Sequence, residues 1–456
     1  MSDKRKKVIT YGSFDLFHEG HYRLLERAKA LGDHLTVGVT TEHYDLMRGK
    51  LNLVDPIMTR IENVRKTGFA DEIIVEDHEG QKIEDIQRYG IDIFTLGSDW
   101  TGRFDYLKQY CEVVYLPRTS GISSTALRKA REAIVRIGII GTGRIATRFF
   151  KETSFVSGIE TVSAYNPEVE SAQAFEAMHQ VRTRSDDFDA FLEETDAVYV
   201  ASPNETHSGY VRLALSAGKH VLCEKPMTFT HAEAVELYDL ARERGVILME
   251  GIRTAYLPGF SQILSVAQNG TIGEVCDIEA CFTRLGDPDS REMSDARYSG
   301  AFLEYGSYSM LPIIKLFGKD YEDIRIESVY GKNGIDIFTK VTFYYQNKLA
   351  TAKAGAGVKS EGQLVISGTK GYILAKSPWW LTREFDVRYE DPNQIDHYES
   401  SFSGQDGLRY EIAEFVSKIN GTGGNDYKLT AGESITMARV VEQFMRIRQE
   451  MQRSIR

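Results

Sequence analysis

The 456-residue sequence predicts an α/β protein: two successive parallel-sheet domains, then an α+β domain built on an antiparallel sheet. Three observations carry that reading. Short apolar strands alternate with amphipathic helices through about the first 130 residues. The same alternation restarts near residue 134. After about residue 256 it gives way to period-two segments separated by glycine-containing turns.

In the first stretch the strands are 7–11, 35–40, 72–75, 91–96 and 112–116. Asp55 as a cap, with Pro56 at the first helical position, opens a helix that Gly68 closes, and Gly90 ends the helix 83–89. The second stretch reads as strand 134–140, helix 144–151, then strands 161–165, 198–201, 220–223 and 247–250. In the third, segments 324–330, 338–345, 349–354 and 363–367 alternate as in an antiparallel sheet, Gly368-Thr369-Lys370-Gly371 forms a turn, and 431–450 is a helix. The domains are therefore expected at 1–131, 132–255 and 256–456. The joint near 131–134 lacks a Gly-, Pro- or Ser-rich linker and reads as a helix running into a strand, so the first two domains are expected to be closely apposed.

Composition narrows the function. With 42% hydrophobic and 27% charged residues the chain is globular. Its net charge of −11 argues against a nucleic-acid binder working through a basic surface. Residues 1–129 carry 19 bases and 20 acids, so any anion site there must be built locally. Cys111, Cys223, Cys276 and Cys281 have neither CxxC nor metal-ligand spacing and read as reduced, mostly buried thiols. No metal site is expected. No apolar run approaches the ~18–20 residues of a membrane span, and no apolar signal region follows the basic start, so a soluble cytoplasmic protein is expected.

The first chemistry-bearing stretch is Tyr11-Gly12-Ser13-Phe14-Asp15-Leu16-Phe17-His18-Glu19-Gly20-His21, where a parallel strand passes into a helix. A helix start offers free N–H groups to phosphate, glycine permits close backbone approach, and imidazoles donate to phosphate oxygens. A second cluster, Arg118-Thr119-Ser120-Gly121-Ile122-Ser123-Ser124-Thr125, gathers hydroxyls and a guanidinium at the last helix start. With Leu25-Glu26-Arg27-Ala28 and Gly97-Ser98-Asp99-Trp100, these stretches make residues 6–130 closely resemble the glycerol-3-phosphate cytidylyltransferases, a Rossmann-like nucleotidyltransferase family. The resemblance implies attack by a phosphomonoester oxygen on the α-phosphorus of CTP, with release of pyrophosphate. His18 and His21 would stabilise the developing charge. Arg48 and Lys50, in the family's basic loop, would hold triphosphate and acceptor phosphate. Tyr11, Gly12, Ser13, Phe14, Asp15, Asp99, Arg118, Ser123 and Ser124 would complete the nucleotide site. Mg²⁺ would accompany CTP, with Asp15 orienting the ion or a phosphate. Two positions depart from the family: Gly68 stands where arginine is usual, and Glu79 where tryptophan is common. The acceptor is therefore not taken to be glycerol 3-phosphate.

The second stretch, Gly138-Ile139-Ile140-Gly141-Thr142-Gly143-Arg144-Ile145-Ala146, is a GxGxxA fingerprint between strand and helix, the pattern that brings a dinucleotide pyrophosphate to a helix N-terminus. Tyr165-Asn166-Pro167 stands where an acid would bind the ribose 2′-hydroxyl, which leaves NAD and NADP both open. Cys223-Glu224-Lys225-Pro226, Ser202-Pro203-Asn204-x-x-His207 and Glu304-Tyr305-Gly306-Ser307-Tyr308 make residues 134–456 resemble the Gfo/Idh/MocA oxidoreductases. That resemblance implies a Rossmann cofactor domain followed by a substrate and oligomerisation domain. Gly141, Thr142, Gly143, Arg144, Ile145, Asn166, Ser202, Pro203, Asn204, His207, Glu224, Lys225 and Pro226 would bind the cofactor. Lys225 and Tyr308 would handle the proton, beside Glu304 in place of the usual aspartate. Arg253, Arg284 and Arg297 fall near the expected pocket, as grips for a substrate phosphate or as surface ion-pair partners.

Two enzyme modules on one chain suggest consecutive steps: reduction of a sugar phosphate to an alditol phosphate, then its union with CMP as a CDP-polyol for capsular or teichoic-type polymers. The alternatives are a reductase acting on an unlinked sugar substrate, and a non-catalytic NAD(P)-binding regulator. Both families imply a homo-oligomer, dimer or tetramer.

Overall fold

Val8 and Ile9 lie side by side on the first strand and point into different cores. Val8 packs with Phe14, Leu25, Val37 and Val64, whereas Ile9 packs with Tyr11, Ile86, Phe94 and Leu107. A strand buried on both faces needs apolar residues at most positions, which is why the parallel strands are near-continuous apolar runs, broken by buried residues such as Thr10, Thr36 and Thr95. The first sheet comprises β1 (Lys7–Gly12), β2 (His34–Thr40), β3 (Glu72–Glu76), β4 (Ile93–Gly97) and β5 (Glu112–Leu116). Its order is β3-β2-β1-β4-β5, with all pairs parallel. Helices α1 (Glu19–Lys29), α2 (Glu42–Met47), α3 (Ile57–Lys66) and α4 (Gln81–Tyr89) connect them.

The computed structural model describes residues 6–117, 134–287, 290, 293–295, 297–400, 407–422 and 428–455. Arg118, Ser123, Ser124 and the expected helix at the joint lie outside the described residues. The chain divides into two compact units, Met1–Ile137 with Thr147–Asp186, and Gly138–Ala146 with Asp187–Arg456.

The second sheet contains β6 (Val135–Ile140), β7 (Ile159–Tyr165), β8 (Thr183–Arg184), β9 (Ala197–Val200), β10 (His220–Glu224) and β11 (Leu248–Gly251), in the order β11-β10-β9-β6-β7-β8. Its helices are α5 (Arg144–Thr153), α6 (Val169–His179), α7 (Phe188–Glu193), α8 (His207–Ser216) and α9 (His231–Arg244). In both sheets the chain winds one way from its first strand and then the other. In sheets of this kind ligands bind at that reversal, which here falls beyond the carboxyl ends of β1 and β4 in one sheet and of β6 and β9 in the other.

The third sheet has eight strands: β12 (Val275–Thr283), β13 (Asp323–Tyr330), β14 (Asp336–Tyr345), β15 (Lys348–Gly355), β16 (Leu364–Gly368), β17 (Tyr372–Ala375), β18 (Glu384–Arg388) and β19 (Ile395–Glu399). They lie in the order β13-β14-β15-β12-β16-β17-β18-β19. Helix α10 (Pro258–Gln268) precedes it, α11 (Ala301–Phe317) lies against β12, β14 and β15, and α12 (Leu408–Ile419) and α13 (Ala431–Ile455) follow.

Four expectations are corrected here. The third sheet is mixed, because β12 and β15 run parallel. Between them the chain crosses over through α11, and strand periodicity carries no information about direction. Helix α3 starts one residue later than expected: Pro56, at ψ 150°, is itself the cap, while the Asp55 carboxylate accepts from the N–H of Leu16. The last helix extends to Ile455. Among the cysteines, Cys223 and Cys281 are buried, but Cys276 is exposed. No helix among the described residues is long and apolar enough to cross a membrane.

Candidate active sites

The loop after β1 is held in a conformation that side chains resist. Phe14 (φ 52°) and Leu16 (φ 44°) both occupy the left-handed region, a cost that persists only where surroundings over-determine it. Three devices do so. Phe14 is buried in the first core. The Asp15 carboxylate accepts from the N–H groups of Val54 (3.1 Å) and Asp55 (2.7 Å). Arg60, fully buried, donates to the carbonyls of Ser13 (2.8 Å), Thr40 (2.8 Å) and Asp55 (2.9 Å). Asp15 thus ties two loops together, where an ion or phosphate contact was expected of it.

His18 caps α1, its Nδ1 accepting from the N–H of Gly20 at 3.0 Å. An Nδ1 that accepts is unprotonated, so the neutral ring carries its proton on Nε2. His21 stacks on His18 with ring centroids 4.0 Å apart and lies against Phe14 and Phe17. Burial first, then the neighbouring His18 and Lys50, push His21 well below the usual histidine range. Its buried Nδ1 has no hydrogen-bond partner among the described residues. The pair therefore presents itself as neutral imidazoles, donors without net charge.

The basic loop joins this group. Arg48 Nη2 pairs with Asp45 at 2.5 Å, and Asp45 in turn accepts from Thr40 Oγ1 at 2.6 Å. Lys50 Nζ donates to the carbonyl of Ser154 at 3.0 Å. Burial, reinforced by Arg48 against the opposing Asp45 and Asp15, lowers Lys50 to about 8. Tyr11 is not brought to this cluster by its side chain. It lies in the second core, donating to Asp85 at 2.9 Å beneath the Lys82 ammonium, itself paired with buried Glu76. Asp99 is exposed at the end of β4. Gly68 (φ 73°) faces open space and Glu79 is exposed.

Sequence reading missed Arg60. The signal was present: Ile57, Arg60, Ile61 and Val64 share one helical face, so an arginine sits on an apolar stripe.

In the second sheet, Gly141 has φ 94°, and a Cβ there would lie 2.6 Å from the carbonyl oxygen of Ala201. Only glycine allows the turns after β6 and β9 to approach so closely. Gly143 and Arg144 are exposed, which leaves the start of α5 open to a pyrophosphate, with Thr142 and Ile145 beside it; these residues fit a dinucleotide. His207 is buried, with Nε2 2.9 Å from the Ser202 carbonyl and Nδ1 2.9 Å from that of Pro226. It staples the loops after β9 and β10 together. Ser202 Oγ lies 2.7 Å from Thr206 Oγ1, Pro203 opens the short turn that follows, and Asn204 Nδ2 approaches the Tyr298 carbonyl at 3.4 Å. Asn166 ends β7, its Oδ1 accepting from Glu168 N–H at 3.0 Å.

Lys225 follows β10. Its Nζ donates to the backbone carbonyl of Glu304 (2.8 Å) and lies 3.3 Å from the Glu304 carboxylate. Tyr308 stands one turn beyond Glu304 on α11, with Lys225 Nζ 5.9 Å and Arg253 Cζ 5.7 Å from its ring centre. Burial opposes the Lys225 ammonium, but Glu304, Tyr308 and Glu224 outweigh it and hold this lysine above its ordinary value. Burial raises Tyr308 against the opposing Arg253 and Lys225, and burial raises Glu224, which accepts from Tyr199 OH at 2.6 Å. Arg284 and Arg297 are exposed; of the three expected arginines, Arg253 is the one lying against Tyr308 among the described residues.

An aromatic wall that no motif announced adjoins Tyr308. Phe282, 5.2 Å from it, is stacked between Trp380 (3.7 Å) and Tyr305 (4.5 Å). Among the described residues, no group of three or more His, Cys, Asp or Glu side chains has metal-binding placement.

One strained loop bearing a histidine pair and one glycine turn leading to a Lys–Glu–Tyr cluster define a bifunctional α/β enzyme. Residues 9–130 match the cytidylyltransferase-like family, 135–252 the oxidoreductase family with NAD-binding Rossmann fold, and 260–374 the GFO/IDH/MocA C-terminal domain. The chain belongs to both families: it is a cytidylyltransferase joined to a GFO/IDH/MocA-type oxidoreductase. The glycerol-3-phosphate cytidylyltransferase of Bacillus spizizenii is 52% identical over 124 residues, covering 27% of this chain and 95% of that protein. The scyllo-inositol 2-dehydrogenase (NADP(+)) IolU of Bacillus subtilis is 26% identical over 318 residues, 68% of this chain and 96% of its own. The 3-ketoreductase KijD10 from Actinomadura kijaniata shares the fold of the second part, with a TM-score of 0.58 and 24% identity over 68% of this chain and 96% of that structure.

Proposed function

We propose that the chain makes a CDP-polyol in two consecutive steps. A sugar phosphate is reduced at the Lys225–Tyr308 site to an alditol phosphate. A phosphate oxygen of that alcohol then attacks the α-phosphorus of CTP, and the bond to the departing pyrophosphate breaks. The observation that carries this reading is the presence, in one chain, of both the His18–His21 pair and the Lys225–Glu304–Tyr308 cluster. The product class of the second site is the acceptor class of the first.

Tyr308 presents a phenol O–H and Lys225 an ammonium, so either hands a proton to the alkoxide formed at the carbonyl carbon. The nicotinamide supplies the hydride when bound. Arg253 is the candidate grip for the substrate phosphate. NADP is favoured over NAD because Tyr165 and Asn166 replace the 2′-hydroxyl-binding acid, in keeping with the cofactor named for the Bacillus dehydrogenase. His18 and His21 donate to the α-phosphoryl oxygens while Arg48 and Lys50 hold the triphosphate with its Mg²⁺. Gly68 and Glu79 depart from the family pattern, so the acceptor is not carried over as glycerol 3-phosphate. A cytoplasmic homo-oligomer with domains at 1–131, 132–255 and 256–456, serving capsular or teichoic-type polymers, completes the proposal.

The test is a paired assay: NADPH or NADH oxidation across triose, pentose and hexose phosphates, with and without CTP, and products identified by mass. Carbonyl-dependent oxidation followed by a CDP-polyol is the expected result. Cytidylyl transfer to supplied polyol phosphates with no oxidation on any sugar phosphate would defeat the two-step reading.

A pH dependence follows from Lys50. Its ammonium attracts the triphosphate, and it is lowered to about 8 mainly by burial, so the charged form is lost as pH rises through that value. CTP affinity is expected to hold between pH 6.5 and 7.5 and to weaken above about 8, approaching tenfold per pH unit. Lys50→Arg should abolish that alkaline loss; an identical slope in the variant would assign it elsewhere.

A further inference from the structure

The basic loop of the cytidylyltransferase is closed by residues from far along the chain. Leu51 N–H donates to the Phe155 carbonyl at 2.8 Å, and Ser157 N–H donates to the Leu51 carbonyl at 3.0 Å. They form a parallel bridge between Leu51 and Val156. Lys50 Nζ reaches the Ser154 carbonyl alongside. The Phe155 ring is buried, edge-on to Trp100 at 5.7 Å, with the Arg103 guanidinium 5.2 Å from each of the two rings. Residues 154–157 fall inside the stretch that matches the oxidoreductase family, 135–252, yet they belong to the same compact unit as residues 48–51. Two elements of the transferase, the Arg48–Lys50 loop and the Gly97-Ser98-Asp99-Trp100 stretch, therefore meet at one phenylalanine of the oxidoreductase sequence.

We propose that Phe155, with the adjoining Ser154 carbonyl, is a positioning residue of the cytidylyltransferase: it holds Lys50 where the β- and γ-phosphates of CTP bind. The proposal rests on the reading of Lys50 as a triphosphate ligand. A flexible lysine loses rotamer entropy on gripping an anion, and a loop already fixed by three hydrogen bonds has met most of that cost before CTP arrives. Phe155 is remote in sequence from the histidine pair and touches neither reacting atom, so its effect on the triphosphate runs through Lys50, and CMP affinity reports on its separate contact with Trp100. The two enzymes are then not merely tethered, since part of one site is built from the sequence of the other.

The test measures dissociation constants of the full chain for CTP with Mg²⁺, for CMP, and for NADPH. The variants are Phe155→Ala, Leu51→Pro (which removes the N–H given to Phe155), Lys50→Met and the Phe155→Ala/Lys50→Met double. Phe155→Ala and Leu51→Pro are each expected to weaken CTP about tenfold, the worth of one charge-assisted contact, with CMP and NADPH within about twofold. The double variant should bind CTP no more weakly than Lys50→Met alone, because Phe155 acts through that lysine. Selective loss of CTP over CMP separates positioning from general loosening, which would weaken both alike. If Phe155→Ala also loses NADPH, Leu51→Pro decides: CTP-selective loss upholds the proposal, and its absence overturns it. Unchanged CTP affinity in Phe155→Ala beside a defective Lys50→Met overturns the proposal alone. Unchanged affinity in Lys50→Met overturns the reading beneath it.

Discussion

His21→Ala is expected to lower the cytidylyltransferase kcat by about 10²–10³-fold, the usual effect of removing one preorganised donor to a developing oxyanion. Nicotinamide-dependent reduction in the same sample should be unchanged. The reason is geometric. His21 is clamped between Phe14, Phe17 and His18, with a buried ring nitrogen that no described residue satisfies. A donor held in that state needs no reorganisation as charge accumulates on the phosphoryl oxygens. Burial keeps the ring neutral, so the acid limb of the pH profile should not carry a His21 titration near the ordinary histidine value.

His18 has a second duty, because its Nδ1 caps α1. His18→Ala should therefore combine lost turnover with a destabilisation of about 1 kcal/mol, typical of a lost cap, whereas His18→Asn should restore the cap and leave turnover low. Thermal unfolding and kcat measured on both variants separate the two duties. Wild-type turnover in His21→Ala would remove the imidazole from the chemistry.

The second large effect is expected at Tyr308. Tyr308→Phe keeps the ring against Phe282 and beneath Arg253 and removes only the hydroxyl, so a loss of about 10²–10⁴-fold in reductase kcat would be the loss of a proton donor. Lys225→Ala should cost as much or more. It removes the ammonium that Glu304, Tyr308 and Glu224 hold charged, and takes from the partly buried Glu224 carboxyl the cation that most favours its charged form. Glu304→Ala should do less than either, since Lys225 bonds the backbone carbonyl of residue 304 at 2.8 Å whatever side chain stands there. Stopped-flow reduction, with NADPH affinity and cytidylyl transfer as internal controls, reads all three. Full reductase turnover in Tyr308→Phe would pass the proton role to Lys225.

The longer arm of Glu304, where aspartate is usual, has a physical account in this arrangement. Its carboxylate reaches Lys225 at 3.3 Å from the helix that also carries Tyr308. The backbone contact sets the lysine, and the side chain tunes its charge.

Much of this protein follows from local sequence. Strand-by-helix alternation specifies parallel sheets because strands buried on both faces must be largely apolar, and it placed β1–β5, β6, β7 and β9–β11 within a residue or two, whereas the two-residue β8 carries too short a pattern to be read. Gly68 and Gly90 mark helix ends because their positive φ is cheap only for glycine. Both glycine- and histidine-bearing loops stand at carboxyl ends of strands because a parallel sheet puts every such loop on one edge. The two families, and with them the two reaction classes, were legible from those loops.

What tertiary structure alone decided involves residues far apart in the chain. Asp15 proved to bind the backbone of Val54 and Asp55, His207 to join two loops, and Tyr11 to serve the opposite core through Asp85. The parallel β12–β15 pair depends on a crossover, and the Trp380–Phe282–Tyr305 stack unites three separate segments. The Lys50–Ser154 bond spans 104 residues and two family boundaries. A motif reports what a residue type is able to do. Which partner satisfies a buried donor or charge is settled only when packing excludes water and brings one acceptor within reach.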